Sequence, residues 1–462
     1  MKAFTEPLLS LAGFEEMTKT AEKSSGLISV TGCIDAQKSQ MIYAFGGHRK
    51  NKLIVTFGEQ KAKELYDEYS FFDKEVVYYP SKDVLFYQSD IRGNLLTAER
   101  IRALKAIREQ ERVTLVTTFD ALMNTMAPIE KMWENVLTLE LGQLLDLKEI
   151  QAALIRMGYE KEYQVQTMGQ FSVRGGILDV FPLTEENPWR IELWDDEIDS
   201  IRSFDAESQR SLENIDEITI YPATEKMDCE DMVSFLDYFP EEKTLLFLDE
   251  LNHLAENGEG VEEEYRQSRM HREEKGEANL PEQWLCGFQE VQKKLNRRNC
   301  VAVSALSPRR SGWKINEEFD LTVKSVDSYN SSFELLVKDL LQYKSQGYRI
   351  ALLSGSRTRA ERLAKDLSEE GLNAFYRQDT DRIISPGEIM VVYGHARRGF
   401  QYPLIKFAVM TETDIFGKEQ KKRKKKKKYS GNRIQDFAEL SIGDLAVSYT
   451  HLRAHETGAY LV

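Results

Sequence analysis

Cysteine is scarce in this chain, with four residues in 462, and Cys33, Cys229, Cys286 and Cys300 stand far apart with no CxxC spacing. That excludes a disulfide framework or zinc ribbon legible in the sequence, and the thiols read as reduced. Long apolar runs are missing too, since none approaches the roughly 20 residues that span a bilayer, and no membrane role is expected. The start, "MKAFTEPLLSLAGFEEM", sets Glu6, Glu15 and Glu16 where a secretory signal has a basic end and an apolar core. The expected compartment is the cytoplasm. Histidine offers no chemistry either: His48, His253, His271 and His395 lie in mostly polar contexts, without ligand spacing or a nucleophile partner. His451 and His455 are four apart, but the acidic residue of a zinc-protease motif is missing between them. No catalytic residue and no metal ligand is assigned.

Charge is abundant but unevenly placed. The net charge is −14, and the eight consecutive cationic residues of "KKRKKKKK", Lys421 to Lys428, leave the remainder of the chain at −22. A body so acidic does not track along a phosphate backbone over a broad surface. Nucleic-acid contact would be local or would come from the basic run, which reads first as a solvated linker.

The length allows three or four domains. From Leu27 to about Thr125, apolar runs of strand length ("LISVT", "KLIVTF", "EVVYYP", "RVTLVTTF") alternate with helical patterns such as "TAERIRALKAIREQ". This predicts a parallel α/β layer. Between Lys131 and Ala223, one helix ("LKEIQAALIRMGY") precedes short alternating strands, which predicts an inserted α+β module. "KTLLFLDEL" then restores a buried strand, and a second compact α/β unit follows from Ser331. The fold class is multidomain α/β: an α/β domain split by an inserted α+β domain, then a small α/β domain. "IQDFAELSIGD" looks like the start of a further domain. "LAVSYTHLRAHETGAYLV" has neither the periodicity nor the length for a core and is expected to be a non-native tail.

"GCIDAQKS" lies where a strand turns into a helix, the place of a phosphate-binding loop. Gly32, Lys38 and Ser39 fit the P-loop pattern, but Gln37 stands where its second glycine belongs. The acidic motif that would hold magnesium is represented by "LFLDELN", with Asp249 and Glu250, which looks like an eroded DExH box without its final histidine. No arginine finger can be picked out. The loop is expected to be degenerate, with no cofactor in this chain and with Lys38 and Ser39 left as relics of a strand-to-helix turn.

In "PWRIELWDDE", alternation puts Ile191 and Leu193 on a core face and Arg190, Glu192 and Trp194 on the other. The large aromatic on the polar face is what needs explaining. Trp and Arg are enriched at interface hot spots, one for its rigid area and the other for its planar fork of donors. "SVRGG" adds Arg174 beside glycines that allow close approach of another backbone. The plainer alternative is that Trp194 stacks on Arg190 and covers a sheet edge. Tyr78, Tyr79 and Tyr87 read as packing residues.

The stretch "QFSVRGGILDVFP…PWRIELWDDEIDSIRSFD", with "YYPSKDVLFYQSDIRGNLLTAERIRAL", "SRTRAERLAKDL" and "RRGFQYPLIKFAVMTETDIFG", resembles the amino-terminal, UvrB-like portion of the bacterial transcription-repair coupling factor (Mfd) family. The matches run in family order from residue 1 to about Asp444. The resemblance implies a degenerate P-loop-type, UvrB-like domain in two halves, 1–126 and 224–330, around an inserted UvrA-binding domain, 127–223. A small α/β domain (331–417), a basic linker (418–435), the start of an RNA-polymerase-interacting domain (436–444) and the tail (445–462) would follow. It further implies that Arg174, Arg190 and Trp194 engage UvrA, that RNA polymerase and DNA are partners of the full-length protein, and that ATP and magnesium serve motor domains missing from this chain.

The implied function is transcription-coupled nucleotide excision repair. The family recognises RNA polymerase stalled at a lesion, releases it by ATP-driven translocation and recruits UvrA. This chain would keep the recruiting half and would not be an enzyme. Two rivals stay open. A UvrB-type ATP-dependent repair helicase is disfavoured by the degenerate loop and by a short passage where UvrB has a tyrosine-rich hairpin. Nonspecific DNA binding through the Lys-rich run is disfavoured by the acidic remainder.

Overall fold

The apolar runs of the first 120 residues form strands Gly26–Thr31, Asn51–Thr56, Val77–Tyr79 and Thr114–Thr118, but these four alone do not make a sheet. In the computed structural model, Thr244–Asp249 and Asn299–Val303 lie between Gly26–Thr31 and Asn51–Thr56, and Ile315–Asp320 flanks Gly26–Thr31 on the outside. All neighbours in this seven-stranded sheet are parallel. The structure describes residues 1–23, 26–45, 51–82, 93–225, 231–276, 284–308 and 312–417. The Lys421–Lys428 run, the rest of 418–462, and His48, Tyr87 and Cys229 lie outside the described residues.

Both faces of the parallel sheet are buried, as continuous apolar strands require. Ile28, Ile54, Val116, Phe247 and Val301 pack with helices Asp35–Phe45 and Glu59–Tyr69 on one face. Their neighbours Leu27, Leu53, Leu115, Leu246 and Cys300 pack with Gly93–Glu109, Leu251–Glu274 and Phe288–Leu295 on the other. Tyr78 and Tyr79 are buried, and Tyr79 stacks on Phe235 at 3.7 Å, as their packing role required.

The chain leaves this layer to build the inserted module. Leu137–Glu140 pairs antiparallel with Glu217–Ile220, so the entering and leaving segments run side by side. Between them a six-stranded sheet has the order Ser211–Asn214, Glu197–Phe204, Trp189–Trp194, Ile177–Val180, Gln170–Arg174, Glu160–Lys161. One face packs on helix Leu147–Arg156 through Phe171, Leu178, Val180, Ile191 and Ile201. Asp146 caps that helix, accepting from the Lys148 and Glu149 amides.

The small α/β unit has a parallel centre, with Arg349–Ser354 between Glu388–Tyr393 and Phe407–Thr411. Lys324–Ser325 pairs with Phe400–Tyr402 at one edge, so the sheet takes a strand from ahead of residue 331. One of its faces, with Ala351, Leu353, Phe400, Tyr402 and Phe407, belongs to the same apolar core as Met41, Phe45 and Tyr69 of the first layer. Ala3, Phe4, Leu8 and Met17 of the amino-terminal segment fill the space between.

Candidate functional site

Two places carry residues singled out by the sequence, and the nucleotide loop comes first. Gly32 follows its strand with φ +73°, and a Cβ there would fall 1.9 Å from the Leu321 carbonyl oxygen. Only glycine fits. The Gly32 amide donates to the Ala305 carbonyl (3.2 Å) and the Cys33 amide to the Ser304 carbonyl (3.1 Å). In a working P-loop such amides point at phosphate. Here the protein's own backbone takes them.

Gln37 is fully buried, with Nε2 3.9 Å from Cys33 Sγ, so the missing glycine is a filled position. The Ser39 hydroxyl is buried and makes no hydrogen bond among the described residues. Lys38 is buried and donates to Asp249 Oδ1 (2.7 Å), Glu250 Oε1 (2.6 Å) and Asp35 Oδ1 (3.1 Å). Burial works against its ammonium, but Asp249 and Glu250 outweigh burial and hold its pKa above the ordinary lysine value. Thr56 fixes the other oxygen of Asp249 at 2.7 Å, and Glu250, in the left-handed region at φ +57°, also accepts from the Ala305 amide. The oxygens of Asp35, Asp249 and Glu250 lie close enough to share a cation, and Lys38 is the cation they share. Lys61 pairs with the other oxygen of Asp35 at 2.8 Å, so three carboxylates against two ammonium groups leave one negative charge where a phosphate would have to enter, and Coulomb repulsion opposes it.

The second place is the outer face of the inserted sheet. Cross-strand partners share a face. The register pairs Ser172 with Asp179, Asp179 with Arg190, and Trp194 with Glu197. Alternation then puts Arg174, Asp179, Arg190, Glu192 and Trp194 opposite the core face. Asp179 is fully buried and is the hub. It accepts from Arg190 Nε (2.7 Å) and Nη2 (2.8 Å) and from Arg174 Nη2 (2.7 Å). Arg190 also reaches Gln209 Oε1 at 3.1 Å, and its guanidinium lies 4.4 Å from the Phe204 ring centre. Glu192 is ion-paired to Arg202.

Trp194 does not stack on Arg190. It sits at the end of its strand, before the turn residue Asp195 at φ +57°, with 80% of its surface exposed. The glycines beside Arg174 also differ from expectation. They form the tight turn into Ile177–Val180, and a Cβ on Gly176 would come 3.1 Å from the Leu193 carbonyl, so the close backbone is the chain's own.

Residues 137–225 match the family described as the UvrB interaction domain. A transcription-repair-coupling factor of Staphylococcus aureus (strain MRSA252) is 27% identical over a 512-residue alignment that covers 97% of this chain and 43% of the relative. That of Bacillus subtilis (strain 168) is 24% identical, covering 86% of this chain and 39% of the relative. Over most of its length the chain is thus similar to transcription-repair-coupling factors, and its residues 137–225 carry the match to the UvrB interaction domain. It spans less than half the length of these relatives.

The matched interaction domain contains Arg174, Asp179, Arg190 and Trp194 together. Sequence reasoning missed Asp179, although its signal was available: an acidic residue on the polar face, one strand away from two arginines. The closure of the nucleotide loop by Ser304, Ala305 and Leu321 had no local signal. No helix among the described residues is long and apolar enough to cross a membrane. His253, His271 and His395 are exposed, as read from their contexts.

Proposed function

We propose that this chain recruits UvrA in transcription-coupled nucleotide excision repair, and that the inserted domain presents Trp194 and Arg174 to it. The observation that carries this reading is the 80% exposure of Trp194 on a sheet face otherwise braced by buried ion pairs. An indole held in water on a rigid support is ready to be buried without reordering. Arg174 keeps 37% of its side chain exposed while anchored to Asp179, so its fork is oriented before a partner arrives. Arg190 is committed to Asp179 and Gln209, and its part is to hold the strand face that carries Trp194.

The same proposal places recognition of RNA polymerase, DNA translocation and ATP use in the longer protein, in the cytoplasm. The closed nucleotide loop supports a binding role, not hydrolysis, for the portion described here. Titration calorimetry of the chain against purified UvrA, with UvrB as competitor, tests the reading. Binding is expected, displaced by UvrB, and Trp194→Ala should cost about 2 kcal/mol, roughly thirtyfold in affinity. A folded chain that does not bind UvrA overturns it.

A further inference from the structure

Trp194 is not the only apolar side chain left in water on its face. The segment 142–145 runs antiparallel beside the end of the Glu197–Phe204 strand. The Gly142 amide donates to the Ile198 carbonyl (2.8 Å), the Ile198 amide to Gln143 (2.9 Å) and the Leu145 amide to Asp196 (2.7 Å), with a bridge pairing Leu144 and Glu197. Glu197 is also the partner of Trp194 from the other side. Paired residues share a face, so Trp194, Glu197 and Leu144 stand in one row across two strands and the segment beside them. A Cβ on Gly142, two residues before Leu144, would lie 3.7 Å from Glu197 Oε1, which puts that carboxylate over the same face. Leu144 is 75% exposed.

Three carboxylates adjoin the row. Asp195, Asp196 and Glu197 are all exposed, and none is ion-paired to a described cation. A protein surface that covers the row must therefore offer an apolar patch for the indole and the leucine, edged with lysine or arginine for the carboxylates.

We propose that Leu144 is a further residue of the UvrA-binding surface and seats with Trp194 astride Glu197 on an apolar patch of UvrA bordered by cations. This rests on the UvrA reading above. Leu144 lies on an irregular segment that the strand motif does not include, so it is a separate claim.

Calorimetry of UvrA against wild type, Leu144→Ala, Leu144→Gln and Trp194→Ala tests it, with Ile155→Ala as control for an exposed apolar residue on helix Leu147–Arg156. Both Leu144 variants keep the backbone pairing and should weaken binding about tenfold, while the control stays within about twofold of wild type. Wild-type affinity should also fall with added salt, and less steeply in Glu197→Gln. If Trp194→Ala loses affinity and both Leu144 variants match wild type, the row is not part of the contact and only the UvrA reading survives. If wild type does not bind, both proposals fail.

Discussion

Asp179 shows how a residue that touches no partner can decide what a surface presents. It is buried, and its two oxygens hold Arg174 and Arg190 by three hydrogen bonds of 2.7 to 2.8 Å. Removing one side of a buried ion pair leaves the other uncompensated. Asp179→Asn should therefore lower stability by about 3 kcal/mol in urea unfolding, and it should weaken UvrA binding at temperatures where the variant is still folded. An unchanged melt would mean that the arginines are held by something else. Lys52 poses a different residue-scale problem. It is fully buried, with Nζ 3.1 Å from the Tyr69 hydroxyl and 3.3 Å from the Tyr43 carbonyl. Burial, reinforced by the charge of Arg112, pushes its pKa from 10.5 down to about 7. Between those values the unfolded chain holds the proton and the folded chain does not, so this group makes stability rise with pH across that window. Urea midpoints of wild type should climb from pH 7 to 9.5 relative to those of Lys52→Met, in which this contribution is gone; parallel profiles would show that Lys52 stays charged.

At the scale of elements, the strand-to-helix turn at Gly32 keeps the local form of its motif while its polar groups are engaged within the chain. The strand, the glycine at φ +73° and the helix with Lys38 and Ser39 are all present. What a phosphate needs, free amides and a free ammonium, has been taken by Ser304, Ala305, Asp249 and Glu250. A nucleotide at a hundredfold excess over its dissociation constant would raise stability by about 2.7 kcal/mol. Millimolar ATP with magnesium should instead leave the melting temperature unchanged, and an upward shift abolished by Lys38→Ala would overturn this account. The elements themselves were legible because their signals are local. Strand Gly26–Thr31 is a continuous apolar run, and Leu147–Arg156 has a capping aspartate and a helical period. The hairpin carrying Trp194 was legible by alternation. The segment 142–145 was not, because its place is set by backbone pairing with Glu197 and not by any pattern of its own.

For the whole molecule, the architecture of a split α/β domain, an inserted α+β domain and a small α/β domain is the one the sequence implied, since alternating strand and helix periods announce layers wherever they occur. Their arrangement was not so announced. The central strands of the first sheet come from residues 244–249 and 299–303, more than a hundred residues after the strands they separate. The small α/β unit also shares an apolar core with the helix of the nucleotide loop, where Tyr402 donates to Gln40 Oε1 at 3.0 Å and Gln40 donates to the Phe4 carbonyl at 2.6 Å. Gln37 and Gln40 are thus buried polar residues whose surroundings lie far away in the chain. By itself the sequence determined the types of element, the faces they bury, the eroded loop and an aromatic left on a polar face, because these follow from side-chain period and residue chemistry over a few positions. Only the tertiary structure decided that Lys38 is neutralised, that Asp179 anchors both arginines and that Leu144 stands across Glu197 from Trp194. Each of those depends on bringing charges or backbones together across long stretches of chain, and no local pattern encodes such an encounter.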